Sequence, residues 1–286
     1  MSASGLKELS SNRCFGGYQK VFVHDSKECK LPMKFSIYLP DSDSKEPLPV
    51  LFWLSGLTCT HENFIFKSGF QRYADRHKSI VVCPDTSPRG AEIPGEEDSW
   101  DFGSGAGFYV DATLPPYDTH YRMYSYISSE LRELIHETFP TDPDRTGIFG
   151  HSMGGHGAMV IGLRNPQHFH SISAFAPISQ PTECPWGLKA FGGYLGENRS
   201  MWRDYDASIL IEEGVGRIPI LVDQGLNDEF LESQLRTSRL EDISKARDFP
   251  LNLRLHEGYD HSYYFIATFL EDHFQWHIEQ WTAKGP

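Results

Sequence analysis

The feature that most constrains this chain is an alternation of short apolar runs with helix-spaced segments, starting near Val50. Residues 50–54 and 80–83 are continuous apolar runs with no polar face. Such runs suit strands buried on both sides, as in a parallel sheet covered by helices on each face. Further strands are predicted over 35–39, 146–149, 171–178, 218–223 and 251–255. Apolar residues recur near helical spacing within 64–77 (Phe66, Phe70, Tyr73, Ala74) and at Ile127, Leu131, Leu134 and Ile135. Helices are also predicted over 153–164, where Asn165-Pro166 stops the pattern, and over 235–246 and 261–281. Strands alternating with helices in this way predict the α/β class with a mostly parallel, doubly wound sheet. No repeat, low-complexity tract or linker interrupts the pattern, so residues 1–286 read as one domain.

Charge and composition remove several classes of function. Lys and Arg total 26 against 39 Asp and Glu, a formal charge of −13 with no basic block. That balance disfavours binding to a phosphate backbone or an anionic membrane, so no nucleic-acid or membrane partner is expected. The longest apolar stretch, 48–57, is about half of the roughly 18 residues a membrane helix needs. The N-terminal stretch has no apolar core of the secretory type, and five scattered cysteines suit a reducing compartment. The expectation is a soluble, cytoplasmic protein. The cysteines form no zinc pairs, and residues 103–107 lack the Gly-Lys-Ser/Thr ending of a phosphate loop. No metal or cofactor is expected.

Chemistry concentrates at Gly150-His151-Ser152-Met153-Gly154-Gly155. Gly-x-Ser-x-Gly is common by chance, but here it follows a predicted strand and opens a predicted helix. That context defines the nucleophile elbow of an α/β-hydrolase. A sharp turn strains the serine backbone, glycines on either side let strand and helix pass closely, and the helix N-terminus favours a developing oxyanion. A serine hydroxyl needs a base, and the base an orienting carboxylate, in the chain order Ser, Asp/Glu, His. After the strand 218–223, Asp228 stands in the position for the carboxylate, with Asp223 at the strand edge as its structural competitor. After the strand 251–255, His261 stands in the position for the base, with His256 as the alternative nearer the strand. The expected triad is Ser152, Asp228 and His261. Backbone N–H donors for the oxyanion are expected from Met153, after the nucleophile, and from Leu57, in the loop Ser55-Gly56-Leu57-Thr58-Cys59. Cys59 borders the expected pocket, either as a small buried hydrophobe or as a thiol whose modification would block the site by bulk. Trp186, in Cys184-Pro185-Trp186-Gly187, is the candidate for lining a narrow acyl pocket, its alternative being an ordinary core or surface aromatic.

Several longer motifs accompany these residues: Ser55-Gly56-Leu57-Thr58-Cys59-Thr60, Trp100-Asp101-Phe102-Gly103, Gly105-Ala106-Gly107-Phe108-Tyr109 and Tyr259-Asp260-His261-Ser262-Tyr263-Tyr264. Together with the elbow they resemble the S-formylglutathione hydrolase (esterase D) family over nearly the whole chain, from about Phe15 to Trp281. The resemblance implies a cytosolic, usually homodimeric thioesterase. It would hydrolyse the glutathione thioester S-formylglutathione to glutathione and formate in formaldehyde detoxification, with side activity on small carboxylesters and no cofactor. The family's catalytic serine, aspartate and histidine fall on Ser152, Asp228 and His261. Glutathione is itself anionic, so local cations at the pocket mouth must offset the charge of −13, with Lys67 and Arg89 as candidates.

Overall fold

The computed structural model describes residues 5–283. One sheet of nine strands runs through it, in the order β1-β2-β3-β5-β4-β6-β7-β8-β9. The antiparallel part comprises β1 (Lys7–Cys14), β2 (Gly17–Asp25) and β3 (Pro32–Pro40). β3 also pairs antiparallel with β5 (Ile80–Pro84). From there β4 (Leu48–Leu54), β6 (Thr141–His151), β7 (Ser171–Phe175), β8 (Ile220–Gly225) and β9 (Leu251–His256) complete a parallel array. The apolar runs of β4 and β5 are buried almost throughout. The polar β1 forms one edge of the sheet, where charged side chains discourage pairing with another chain.

Helices α1 (Asn63–Lys67) and α2 (Gln71–Arg76) replace the single helix expected over 64–77. Gly69 adopts a positive φ of 68° between them and turns the chain out of helical geometry. The break leaves Phe66 exposed, while Phe64 stacks on Trp53 at 3.8 Å and on Phe70 at 4.8 Å. α3 (Met123–Ser125) and α4 (Arg132–Thr138) are joined by a π-helical segment, Tyr126–Leu131, and the predicted apolar stripe runs from that segment (Ile127, Leu131) into α4 (Leu134, Ile135). α5 (Met153–Arg164) has the predicted bounds and is buried almost end to end, so it needs small residues at its close contacts. β7 stops at Phe175, earlier than predicted, because Ala176 turns to φ 40°. α6 (Pro185–Leu195) and α7 (Ala207–Glu213) were not anticipated by the sequence pattern, whereas α8 (Thr237–Ala246) and α9 (Tyr263–Ala283) lie close to the expected positions. Among the described residues, no helix is long and apolar enough to cross a membrane.

β4 lies between β5 and β6, so the connections run to opposite sides of β4. Ligands of open α/β sheets bind beyond the carboxyl ends of the strands at such a reversal. The loop after β4 carries Gly56 and Leu57, and the turn after β6 carries Ser152.

Candidate active site

Ser152 occupies the single-residue turn between β6 and α5, with φ 58° and ψ −120°. A side chain at such an angle is strained, and the turn persists because its surroundings dictate it. A Cβ on Gly150 would lie 2.6 Å from the Leu54 carbonyl oxygen, and one on Gly154 would come within 2.0 Å of the same atom. The two glycines thus let β4, β6 and α5 meet. The Ser152 N–H donates to the Phe175 carbonyl at 3.0 Å, tying the turn to the end of β7. The serine is 3 % exposed. Gly56 packs directly on it: a Cβ there would lie 3.1 Å from Ser152 Cβ.

Asp228 and His261 come together from the loops after β8 and β9, with Asp228 Oδ2 2.5 Å from His261 Nδ1. The Phe230 N–H donates to Asp228 Oδ1 at 2.9 Å, and Gln224 Nε2 donates to Oδ2 at 3.3 Å, so the carboxylate is held from both sides. A carboxylate on Nδ1 orients the imidazole and leaves Nε2 to act as base. The His261 ring lies 4.3 Å from that of His151, the residue before Ser152. Burial, and then the neighbouring His261, push His151 well below the ordinary histidine range, so it stays neutral beside the base.

The loop after β4 is fixed by several bonds. Tyr109 Oη donates to the Ser55 carbonyl at 2.8 Å, and Trp53 Nε1 donates to Ser55 Oγ at 2.9 Å. The N–H groups of Thr58 and Cys59 donate to the Gly105 and Gly56 carbonyls at 2.9 and 3.3 Å. Cys59 is half-buried and reduced. Burial raises its thiol above the ordinary cysteine value, against the opposing pull of Lys67 and a hydrogen bond with Tyr263. Trp186 is 6 % exposed and packs edge-on against Trp100 at 5.7 Å. It also meets Phe230 at 4.8 Å, and Phe230 abuts the His261 ring at 5.1 Å. One ring therefore separates Trp186 from His261. Phe230 was not singled out from the sequence, although its place two residues after Asp228 offered a signal.

Asp223 and His256, the competitors of Asp228 and His261, lie beside each other without a hydrogen bond, His256 Nε2 being 3.2 Å from Asp223 Oδ1. Asp223 belongs to a second serine–histidine–aspartate set behind the sheet. Ser171 and Ser173 alternate onto one face of β7, and His273 and His277 lie one helical turn apart on α9. His277 Nδ1 is 2.6 Å from Ser171 Oγ and His277 Nε2 3.0 Å from Ser173 Oγ. His273 Nδ1 is 2.8 Å from Ser173 Oγ, and His273 Nε2 is 3.2 Å from Asp223 Oδ2. Arg254 donates to both oxygens of Asp223 at 2.6 and 2.5 Å. Burial alone would raise the Asp223 carboxyl, but His273 and Arg254 override it and hold the group well below the usual carboxylate range. Ser171, Ser173, His273, His277 and Asp223 are all fully buried. Among the described residues, no group of three or more His, Cys, Asp or Glu is arranged to hold a metal ion.

A strained serine between a strand and a helix, on the same sheet edge as a histidine–carboxylate pair, defines an α/β-hydrolase of the serine esterase kind. Residues 26–276 match the model of a family described as putative esterase, and the chain belongs to that family. It is 56 % identical over 280 residues to the S-formylglutathione hydrolase of Rattus norvegicus and 55 % identical over 280 residues to that of Mus musculus. Each match covers 97 % of this chain and 99 % of the relative. A solved S-formylglutathione hydrolase from Agrobacterium tumefaciens superposes with a TM-score of 0.93 at 51 % identity, covering 96 % of this chain and 99 % of that one. The chain is a member of the S-formylglutathione hydrolase family.

Proposed function

We propose that this chain hydrolyses S-formylglutathione to glutathione and formate, using Ser152 as nucleophile, His261 as base and Asp228 as its orienting carboxylate. Small carboxylesters are side substrates. The observation that carries the reading is the 2.5 Å contact between Asp228 and His261 on the same edge as the strained Ser152. The full-length similarity to S-formylglutathione hydrolases supports the choice of substrate.

In the first half-reaction Ser152 Oγ attacks the formyl carbon while His261 Nε2 takes its proton. The oxyanion meets the N–H of Met153, first in α5, and that of Leu57. Thr58 and Cys59 have committed their own N–H groups, which favours Leu57 as the loop donor. Loss of one such donor costs about 100- to 1,000-fold in rate. The C–S bond then breaks, and the leaving thiolate takes the proton from His261. Water, deprotonated by His261, attacks the formyl-serine; the bond to Ser152 Oγ breaks as His261 returns that proton to it, releasing formate and the free serine. Trp186 and Phe230 close one side of the acyl pocket, which suits a group as small as formyl.

A cytoplasmic location and a homodimer belong to the same reading. Five free cysteines fit a reducing compartment. Light scattering is expected to give twice the chain mass of 32.6 kDa. The reaction itself is tested by steady-state hydrolysis of S-formylglutathione beside a short aryl ester. Strong preference for the thioester is expected; turnover of the ester alone would reduce the reading to a general carboxylesterase.

A further inference from the structure

A cavity of about 410 Å³, lined among others by Lys34, His61, Glu62, Asp85 and Arg89, takes no part in the steps above. It lies where β3 begins and β5 ends, Phe35 standing opposite Pro84 across that pair. Because β5, β4 and β6 run parallel, the ends of β5 and β6 share one sheet edge, and the cavity stands at the same edge as Ser152. Short contacts connect the two places. Gly56 packs on Ser152, the Cys59 N–H donates to the Gly56 carbonyl at 3.3 Å, and Arg89 Nη2 donates to the Cys59 carbonyl at 3.1 Å.

We infer that this cavity receives the γ-glutamyl end of the glutathione thioester, with Arg89 and Lys34 facing its carboxylate and Glu62 its ammonium. The inference rests on the function proposed above. A γ-glutamyl group ends in an α-amino acid, a zwitterion. Two cations and two carboxylates make the cavity wall locally balanced in a chain of charge −13. A mixed set of this kind complements both charges of the head group, whereas a wall of one sign would repel one of them. Arg89 is already held in place: its Nε and Nη2 donate to Asp85 Oδ1 at 3.2 and 3.0 Å, and Asp85 is buried. Among the described residues, these bonds and the one to Cys59 use Nε and Nη2 and leave Nη1 for a ligand. A fixed guanidinium loses little freedom when it meets a carboxylate. The reach also agrees. Two to three strand spacings, about 10–14 Å, separate the end of β6 from those of β5 and β3. The γ-glutamyl arm extends about 10 Å from sulfur to α-carboxyl.

The test compares kcat/KM for S-formylglutathione, N-acetyl-S-formyl-cysteinylglycine (an acetyl group in place of the γ-glutamyl group, so the thioester stays on sulfur) and a short aryl ester. Wild type, Arg89→Ala, Lys34→Ala and Glu62→Gln are measured. Wild type should prefer the full thioester over the truncated one by about tenfold or more. Arg89→Ala and Lys34→Ala should lose most of that preference through KM, and Glu62→Gln part of it. Because Arg89 also holds the Cys59 loop, the exposed Lys34 and Glu62 carry the decision. If wild type prefers the full thioester and Lys34→Ala and Glu62→Gln keep that preference, the cavity assignment is overturned while the function stands. If wild type does not turn over S-formylglutathione, the function falls and the assignment with it.

Discussion

Ser152, His261 and Asp228 stand at the edge of the sheet, whereas Ser173, His277, His273 and Asp223 form a hydrogen-bonded chain behind it, between β7, β8 and α9. The two sets contain the same residue types at comparable spacings, yet their settings oppose each other. The edge serine sits in a left-handed turn at the start of a helix, and its histidine side chain is 16 % exposed. The inner serine lies within a regular strand, sealed from solvent, and its histidines share their ring nitrogens with other side chains. The first set stands at the end of the strands beside the loop after β4, and the second is enclosed between the sheet and α9. On the proposed reading, backbone strain and a helix N-terminus distinguish the nucleophile from a structural serine. The inner set does support the outer one: His273 stacks on Phe175 at 3.7 Å, and the Phe175 carbonyl holds the Ser152 N–H.

The largest contrast is expected from the two serines. Ser152→Ala should lower kcat for thioester and ester by at least about 10⁴-fold with little change in stability. Ser173→Ala should leave kcat within a few-fold and lower stability by about 1 kcal/mol through its lost hydrogen bonds. Side-by-side kinetics and denaturant titration would check both, and equal kcat losses would erase the distinction. The two aspartates extend the comparison. Asp228→Asn should cost about 10³- to 10⁴-fold in kcat by disturbing the His261 tautomer. Asp223→Asn should instead destabilise the fold by about 1–3 kcal/mol, because it weakens the contacts of the buried carboxylate with Arg254 and His273, while the surviving folded enzyme keeps its kcat.

Acid should destabilise the interior. Burial holds His156 at about 4, with a hydrogen bond to the Phe108 carbonyl opposing only part of that shift. Its folded pKa is below its unfolded one, so the unfolded chain binds the extra proton. Stability from this group is therefore full above about pH 6.5 and declines as pH falls toward 4. By pH 5 the loss is about 2 kcal/mol from His156 alone. Thermal melts from pH 8 to pH 5 should show a falling Tm, and the slope should be shallower in His156→Gln. The smallest effect is expected at Trp186, one ring from His261. Trp186→Ala should widen acyl-chain selectivity by several-fold, read as the ratio of butyryl to acetyl ester turnover. An unchanged ratio would place Trp186 outside the pocket.

The parallel core was legible because buried parallel strands leave uninterrupted apolar runs, as in β4 and β5, and because the elbow motif lies between a strand and a helix. The hairpin of β1 and β2 was not, since an edge strand such as β1 carries polar side chains on both faces and leaves no periodic trace. The break between α1 and α2 turned on one glycine, Gly69, within an otherwise helical spacing. α7 had a readable frame, with Asp206 capping the Ile209 N–H at 3.2 Å and Gly214 closing it at φ 77°, but the search for strand–helix alternation passes over so short a helix. The choice between Asp228 and Asp223 followed from their places against the strand, Asp228 a few residues past its end and Asp223 at its edge. The burial of the second set did not, because it depends on α9 folding back over β7, a long-range contact that local pattern does not encode.

The most direct test of the account is labelling of the native protein with a fluorophosphonate probe, followed by peptide mapping. The probe reacts with a serine that a neighbouring base activates. Stoichiometric modification of Ser152, abolished in Ser152→Ala and in His261→Ala, is the predicted result. Modification of Ser173, or labelling that survives in Ser152→Ala, would contradict the assignment of the nucleophile.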